Sequence, residues 1–103
     1  MTSVSSTALE ASHILAPHRA RFVGVIGYNA SESAQFIQVH NSATVPADGA
    51  VPIVTFTAAA SSNFSQVPPR PIECLAGVVI CNSSTADTKT GGDADCFFTA
   101  QIA

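Results

Sequence analysis

The sequence is short of charge. Only 11% of its 103 residues are Asp, Glu, Lys or Arg, less than half of the roughly 25% usual in soluble domains. Four basic residues stand against seven acidic ones, for a net charge of −3, so no basic surface can neutralise a row of phosphates. This composition argues against nucleic-acid binding. It favours a subunit that packs against other subunits, because interfaces are depleted in charge, with a neutral Ser/Thr-rich monomer as the alternative.

Long apolar runs and targeting signals are also missing. The longest apolar run, Leu75–Cys81, is far shorter than the ~20 residues that a membrane helix needs. Residues Met1–Ser12 contain neither a basic n-region nor an apolar h-region, so we expect no secretory signal, synthesis in a cytoplasm and no membrane partner.

The cysteines form an odd set of three, Cys74, Cys81 and Cys96, with no CxxC pair. In a cytoplasmic protein such thiols are usually reduced and act as small buried hydrophobes. We therefore expect three buried thiols, and a cross-strand disulfide between Cys81 and Cys96 is the alternative.

Residues for catalysis are scarce as well. The histidines, His13, His18 and His40, lie near neither a GxSxG elbow nor a cysteine-protease signature, whereas nucleophilic catalysis needs an oriented base beside its nucleophile. The sequence therefore predicts that the chain is not an enzyme and binds no cofactor.

Metal-ligand patterns do not appear either. Asp87, Asp93 and Asp95 surround Gly91-Gly92, but their spacing differs from that of the EF-hand loop. His13 and the cysteines lack the spacing of zinc ligands. We interpret the carboxylates as a solvated acidic loop and predict no metal site.

What the sequence does contain is a series of short β-rich runs separated by turns. They are Ser12–Leu15, Phe22–Tyr28, Ala34–His40, Val51–Thr57, Asn63–Ser65, Cys74–Asn82 and Asp95–Ile102. No stretch has the period of a useful helix, and short strands at this spacing are typical of sandwiches and jelly rolls. We predict an all-β, antiparallel β-sandwich or jelly-roll-like domain over residues 12–103, with residues 1–11 as a flexible, extended N-terminal arm.

Two neighbouring runs, Phe22–Tyr28 and Ala34–His40, form the predicted centre of the domain. The turn between them, Asn29–Ser33, opens on an Asn, which readily bonds its own backbone in turns, so the three segments predict a hairpin. The first run is apolar on both faces, which predicts that it is central or covered on both sides.

The strand pattern also assigns side chains to faces. In the second run, Ile37 and Val39 share one face, which is the better candidate for the core, while Gln38 and His40 share the other and are expected to face solvent or a neighbour. Cys74–Asn82 is apolar throughout, which indicates a strand covered on both faces.

Three segments resemble a known family when taken together. They are Gly27-Tyr28-Asn29 leading to Ala34–His40, then Val45–Pro52, then Gly77–Thr85 running through Thr88–Thr90 to Ala94–Phe98. The order resembles small β-sandwich proteins encoded among the structural genes of tailed bacteriophages, over about Ser12 to Ile102. The resemblance implies a virion component without catalytic residues, either a capsid decoration (cement) protein or an accessory piece of the tail or baseplate.

From this resemblance we expect a protein that binds the assembled head shell as an oligomer, with a homotrimer favoured. Its partners would be the major capsid protein and itself, and its location the virion, assembled in the host cytoplasm. The expected contact residues lie in the arm and two polar loops: Thr2, Val4, Leu9, Pro68, Pro69, Arg70, Thr88 and Lys89.

Two other functions remain as alternatives. One is a tail, neck or baseplate accessory protein, which copy number per particle would separate from a decoration protein. The other is a carbohydrate- or receptor-binding β-sandwich. Sugar sites use aromatic platforms, and this chain has no Trp and one Tyr, Tyr28, which is expected inside the central hairpin.

Overall fold

The computed structural model describes all 103 residues, and they form nine β-strands and no helix. The strands are β1 (Thr2–Ser5), β2 (Ser12–Ala16), β3 (Ala20–Asn29), β4 (Gln35–Asn41), β5 (Val54–Ala58), β6 (Ser62–Gln66), β7 (Ile72–Cys74), β8 (Val78–Ser83) and β9 (Cys96–Ile102). The first sheet has the order β1-β9-β3-β6, with β7 also on β3, and the second has the order β2-β8-β4-β5. All pairings are antiparallel, which confirms the all-β sandwich. No helix long and apolar enough to span a membrane is present.

The strand order is that of a jelly roll. Strand β6 pairs with Val25–Asn29 and β7 with Ala20–Phe22, so these two strands are halves of one edge strand interrupted by residues 67–71. With β6 and β7 counted as one, every connection except β4–β5 crosses between the sheets, and the first and last strands lie side by side. This is the double Greek-key arrangement of the eight-stranded jelly roll, which confirms the predicted topology.

The core lies between the two sheets. Its largest fully buried apolar side chains are Phe22, Phe98, Ile37, Ile80, Val25, Val39 and Val78. The Phe64 ring lies 6.1 Å from that of Phe98 and 5.8 Å from that of Phe56, both in tilted geometry, which favours packing between aromatic rings. The predicted core position of Ile37 and Val39 is confirmed.

The predicted hairpin is wrong, because β3 and β4 belong to different sheets. The turn itself forms as expected: the Ser31 amide donates to Asn29 Oδ1 at 3.0 Å. However, Asn29 Nδ2 also donates to the carbonyls of Ala58, the last residue of β5, and Ala59, which follows it. The turn therefore carries the chain across the core, and the apolar stripes of β3 and β4 face each other instead of lying in one sheet.

The chain's own loops cover the centre of the outer side of the second sheet, over β4 and β8, while Thr55 and Thr57 on the edge strand β5 stay exposed. Gln38 and His40 are 0% and 2% exposed, which corrects their expected exposure. Gln38 Nε2 donates to the carbonyls of Thr85, Ala86 and Thr88 at 2.9, 3.3 and 3.1 Å, and Gln38 Oε1 lies 3.1 Å from His40 Nε2. All of β8 is buried beside them, which confirms a strand covered on both faces from Val78 onward. The predicted start at Cys74 is wrong, because Cys74 ends β7 in the first sheet and Leu75 is 67% exposed.

Lys89 joins the loop that covers Gln38, in the β8–β9 connection, to the β4–β5 connection at Asp48–Ala50. Its Nζ donates to Asp48 Oδ1 at 2.9 Å, and the Gly91 amide donates to the same oxygen at 3.0 Å. Backbone bonds from Gly49 to Lys89 and from Lys89 to Ala50 complete the contact. The hydrogen bond from Lys89 is the main cause that lowers the pKa of Asp48 below its usual range.

The N-terminal residues differ from the expected arm. Thr2–Ser5 forms β1 and pairs with β9 along its whole length. Beyond it, Ser6 is buried, and the amides of Ser6 and Glu10 donate to Phe98 and Cys96 at 2.8 Å. The stretch is therefore an edge strand with a pinned connection, and its flexibility in solution stays a prediction.

The three cysteines are buried and free, so the predicted buried thiols are confirmed and the Cys81–Cys96 disulfide is wrong. Cys96 belongs to the first sheet and the core, whereas Cys81 stands opposite Gln38 in the second sheet. Burial raises the pKa of all three thiols, and that of Cys81 to about 11.

Candidate functional site

The side of the first sheet that faces away from the core carries an uncharged surface along β1, β9, β6 and the part of β3 from Val23 onward, which we call the outer face. The exposed, charged residues Arg21 and Glu73 lie beyond it, where β3 pairs with β7. Its members come from four strands and two flanking loops. They are Ser3, Ser5, Leu9, Val23, Ile26, Tyr28, Asn63, Ser65, Val67, Phe97, Thr99 and Gln101. Hydrogen bonds between Ser5 and Thr99, and between Gln101 and Ser3, join side chains across this face.

A bulge in β3 turns apolar side chains onto the outer face. The pairing of β3 with β9 shifts register between Phe22 and Gly24, which places Val25 inward with Phe22. Because side chains alternate along a strand, Ile26 and Tyr28 then point outward, where they are 59% and 41% exposed. Of the two expected alternatives, the structure shows a central strand, since β3 lies between β9 and β6, and not one covered on both sides.

The outer face is arranged in rows across the strands. Tyr28 stands opposite Phe97 on β9 and Asn63 on β6, and Ile26 stands opposite Thr99 in the next row. Cross-strand neighbours of this kind lie close enough for their side chains to touch. Aromatic and aliphatic groups therefore alternate with amides and hydroxyls, and no charge intervenes.

Two grooves cross the outer face on either side of a ridge. The larger, of about 740 Å³, is lined by Leu9, Gly27, Tyr28, Asn63, Phe64, Ser65 and Phe97. The smaller, of about 160 Å³, is lined by Val23, Gly24, Val25, Val67 and Gln101. Ile26 and Thr99 line both grooves. These two side chains therefore form the ridge between them.

Several of the contact residues expected from the sequence border the outer face. Leu9 lines the larger groove, and exposed Thr2 lies on the edge strand β1. Pro68, Pro69 and Arg70 belong to the insertion between β6 and β7, directly after Val67 of the smaller groove. The structure thus brings the arm and the proline loop to the same sheet.

The other expected contact residues lie elsewhere. Val4 is half-buried and packs against the core. Thr88 and Lys89 cover the second sheet, and the Lys89 side chain, which is paired with Asp48, is only 10% exposed. Lys89 is therefore committed within the chain, in contrast to the exposed residue that the sequence indicated.

Sequence reasoning missed the middle of the outer face, which is Ile26, Tyr28 and Phe97. The signal was present, since Phe22–Tyr28 is apolar on both faces and β9 carries no charged residue. That pattern arises equally from a strand covered on both sides and from one with an open apolar face, and only the tertiary structure separates the two cases.

The outer face can bind a partner through apolar contacts and uncharged hydrogen bonds. Its apolar groups can be removed from water by a partner, and its Ser, Thr, Asn and Gln side chains offer hydrogen bonds without a charge to desolvate. Elsewhere, Glu10 and His13 pair at 2.8 Å, and no three His, Cys, Asp or Glu side chains come together. That the chain is not an enzyme stays a prediction.

Comparison with known proteins adds one similarity. No protein-family model and no curated protein matches the chain. Among solved structures, the coat protein of Tobacco streak virus is similar, with 13% sequence identity and a TM-score of 0.48 over 99% of this chain and 85% of the coat protein. The resemblance to tailed-phage proteins stays a prediction.

Proposed function

We propose that this jelly-roll protein is a virion structural component, and specifically a capsid decoration (cement) protein of a tailed bacteriophage. Jelly rolls serve in viral capsids, lectins and cupins, so the fold alone does not select a function. The observation that carries the proposal is the uncharged, partly apolar outer face. Monomers rarely expose large contiguous apolar patches, and such patches mark sites of interaction with other proteins.

The energetics of the outer face favour contact with other subunits. Leu9, Ile26 and Val67 are 47%, 59% and 69% exposed, so burying the exposed part of one such side chain contributes about half of the roughly 1.5–3 kcal/mol that a fully exposed one gives. A partner that covers all three removes apolar surface from water without desolvating a charge. Such a contact is weak per copy, and it gains strength when many copies bind one shell.

A decoration protein stabilises a shell because it binds the assembled form and not the free subunits. Its partners are then the major capsid protein and other copies of this chain, and its location is the virion. The oligomeric state that the family resemblance implies is a homotrimer.

Shell binding tests this proposal directly. Shells that lack the protein are mixed with the wild type, with Ile26→Asp, which places a charge on the ridge, and with Thr57→Asp as the matched control. Thr57 is an exposed strand residue of the second sheet. We expect the wild type and the control to bind to equal occupancy and Ile26→Asp to lose at least about tenfold in affinity. Absence of wild-type binding, or equal binding by all three, would overturn the proposal.

A second candidate function is the binding of a neutral carbohydrate. The observation that favours it is the larger groove, in which Tyr28 and Phe97 stand beside Asn63 and Ser65. Its volume is within the roughly 300–1,000 Å³ usual for small-molecule sites. Binding of neutral glycans on a printed array, abolished by Tyr28→Ala, would favour this candidate, and no binding to any glycan would exclude it.

A further inference from the structure

We infer that a second copy of this chain covers the outer face, in a two-fold contact that packs the first sheets of both copies face to face. The inference rests on the proposed function, because it names the partner at that same surface. Two properties of the outer face support it: the absence of charged residues, and the ridge between two grooves.

Charge makes the outer face the favoured meeting surface of two identical copies. Each chain has a net charge of −3, so approaching copies repel wherever carboxylates oppose each other. Exposed carboxylates lie on other parts of the surface, at Glu32, Asp48, Asp87 and Asp93. Glu73 lies on the same sheet at its β7 end, beyond the outer face, where Arg19 pairs with it. None of the twelve residues of the outer face is charged, so two such faces meet without this penalty.

The shape of the outer face fits a copy of itself. The ridge formed by Ile26 and Thr99 lies between the larger and the smaller groove. In a two-fold contact each surface meets its own equivalent, so the ridge of one copy can enter the larger groove of the other, and the reverse. Facing sheets pack about 10 Å apart with interdigitated side chains. Such packing would bury Ile26 against Tyr28 and Phe97 of the other copy.

The size of the face sets the strength of the contact. Twelve residues a side are fewer than the roughly 20–30 of a standard interface, so the free dimer is weak. A two-fold contact closes as a dimer, whereas the homotrimer implied by the family resemblance needs a contact between two different patches. The number of subunits in the oligomer therefore decides between the two-fold contact and the homotrimer.

Sedimentation velocity without any shell tests the inference, at chain concentrations from about 10 µM to about 500 µM. We expect the wild type to shift from monomer to dimer over this range. Ile26→Asp, which charges the ridge, and Ser65→Arg, which fills the larger groove, should each weaken the dimer at least about tenfold. Thr57→Asp should leave it unchanged.

Three results would overturn the inference: a wild type that stays monomeric throughout, a trimer, or a dimer that both variants form as well as the wild type. Thermal unfolding of each variant verifies that it is folded. Because no shell is present, the outcome is separate from the proposed function. A chain that binds shells while remaining a monomer would overturn the inference alone, and a dimer that fails to bind shells would overturn the proposed function alone.

Discussion

Gln38 is the side chain that fixes the loop over the second sheet. Its amide donates to three carbonyls between Thr85 and Thr88, and its oxygen lies beside His40 Nε2. Buried carbonyls that lose their donor keep the full cost of desolvation. We predict that Gln38→Leu lowers the free energy of unfolding by about 2–4 kcal/mol, measured by urea denaturation.

Gln101→Leu is the matched control for this prediction. Gln101 lies on the outer face and bonds only the Ser3 hydroxyl, so its replacement should cost less than about 1 kcal/mol. Equal losses for the two variants would contradict the assigned role of Gln38.

His40 should make stability depend on pH. Burial, and then the nearby charge of Lys89, lower the pKa of His40 from its ordinary 6.5. The unfolded chain therefore binds the proton more tightly than the folded one. The contribution of neutral His40 is complete above pH 6.5 and is lost as the pH falls from there toward the folded-state pKa.

The measurement is urea unfolding between about pH 8 and pH 5, for the wild type and His40→Gln. The wild type should lose stability on acidification more steeply than the variant. Asp48, with a pKa already lowered from 3.8, keeps its contribution above that pH and does not interfere. Parallel curves for the two proteins would count against a buried neutral His40.

Residue positions were predictable where they depend on strand period alone. Ile37 and Val39 alternate with polar neighbours, and the structure buries both. The burial of Gln38 depends on a loop about Thr88, fifty residues away in the chain, and no local pattern contains that contact.

At the scale of elements, the edges of the first sheet differ in how they are formed. One edge is β1, which is four residues long, and the other is the β6–β7 strand, which the proline-bearing residues 67–71 interrupt. Short strands and interruptions limit uncontrolled pairing between edges. The outer face between them can therefore serve as a contact surface without inviting sheet extension at its sides.

Truncation of the N-terminus tests the role of β1. We predict that removal of residues 1–5 leaves the domain folded with a moderate loss of stability, because only the edge strand is lost. Removal of residues 1–11 should cost more, since Ser6 and Glu10 also bond to β9. Melting temperatures of both truncated chains provide the measurement. Values equal to that of the intact chain would show a detached arm, as the sequence first indicated.

The existence of the elements was predictable, and their partners were not. The turn at Asn29 was located correctly, because its cause is local. The pairing was wrong, because apolar alternation looks the same in a hairpin and in two strands that face each other across a core. The interruption by prolines was visible in the sequence, but the partner β3 was not.

At the scale of the whole molecule, the two sheets differ in how far their outer sides are covered by other parts of the chain. The central strands β4 and β8 of the second sheet are covered by loops of the same chain, and the first sheet presents the open, uncharged outer face. The fold class followed from strand spacing, and the proposed virion role came from a family resemblance. The asymmetry between the sheets came from tertiary structure alone, and it is what assigns a surface to the proposed function.

The most direct test of the central claim is the copy number of this chain in purified particles of the phage to which the proposal assigns it, by quantitative mass spectrometry against the major capsid protein. A decoration protein covers a shell of many equivalent sites, so we predict on the order of hundreds of copies per particle. About a dozen copies would place the chain in the tail, neck or baseplate, the alternative structural role. Its absence from the particle would contradict the virion assignment altogether.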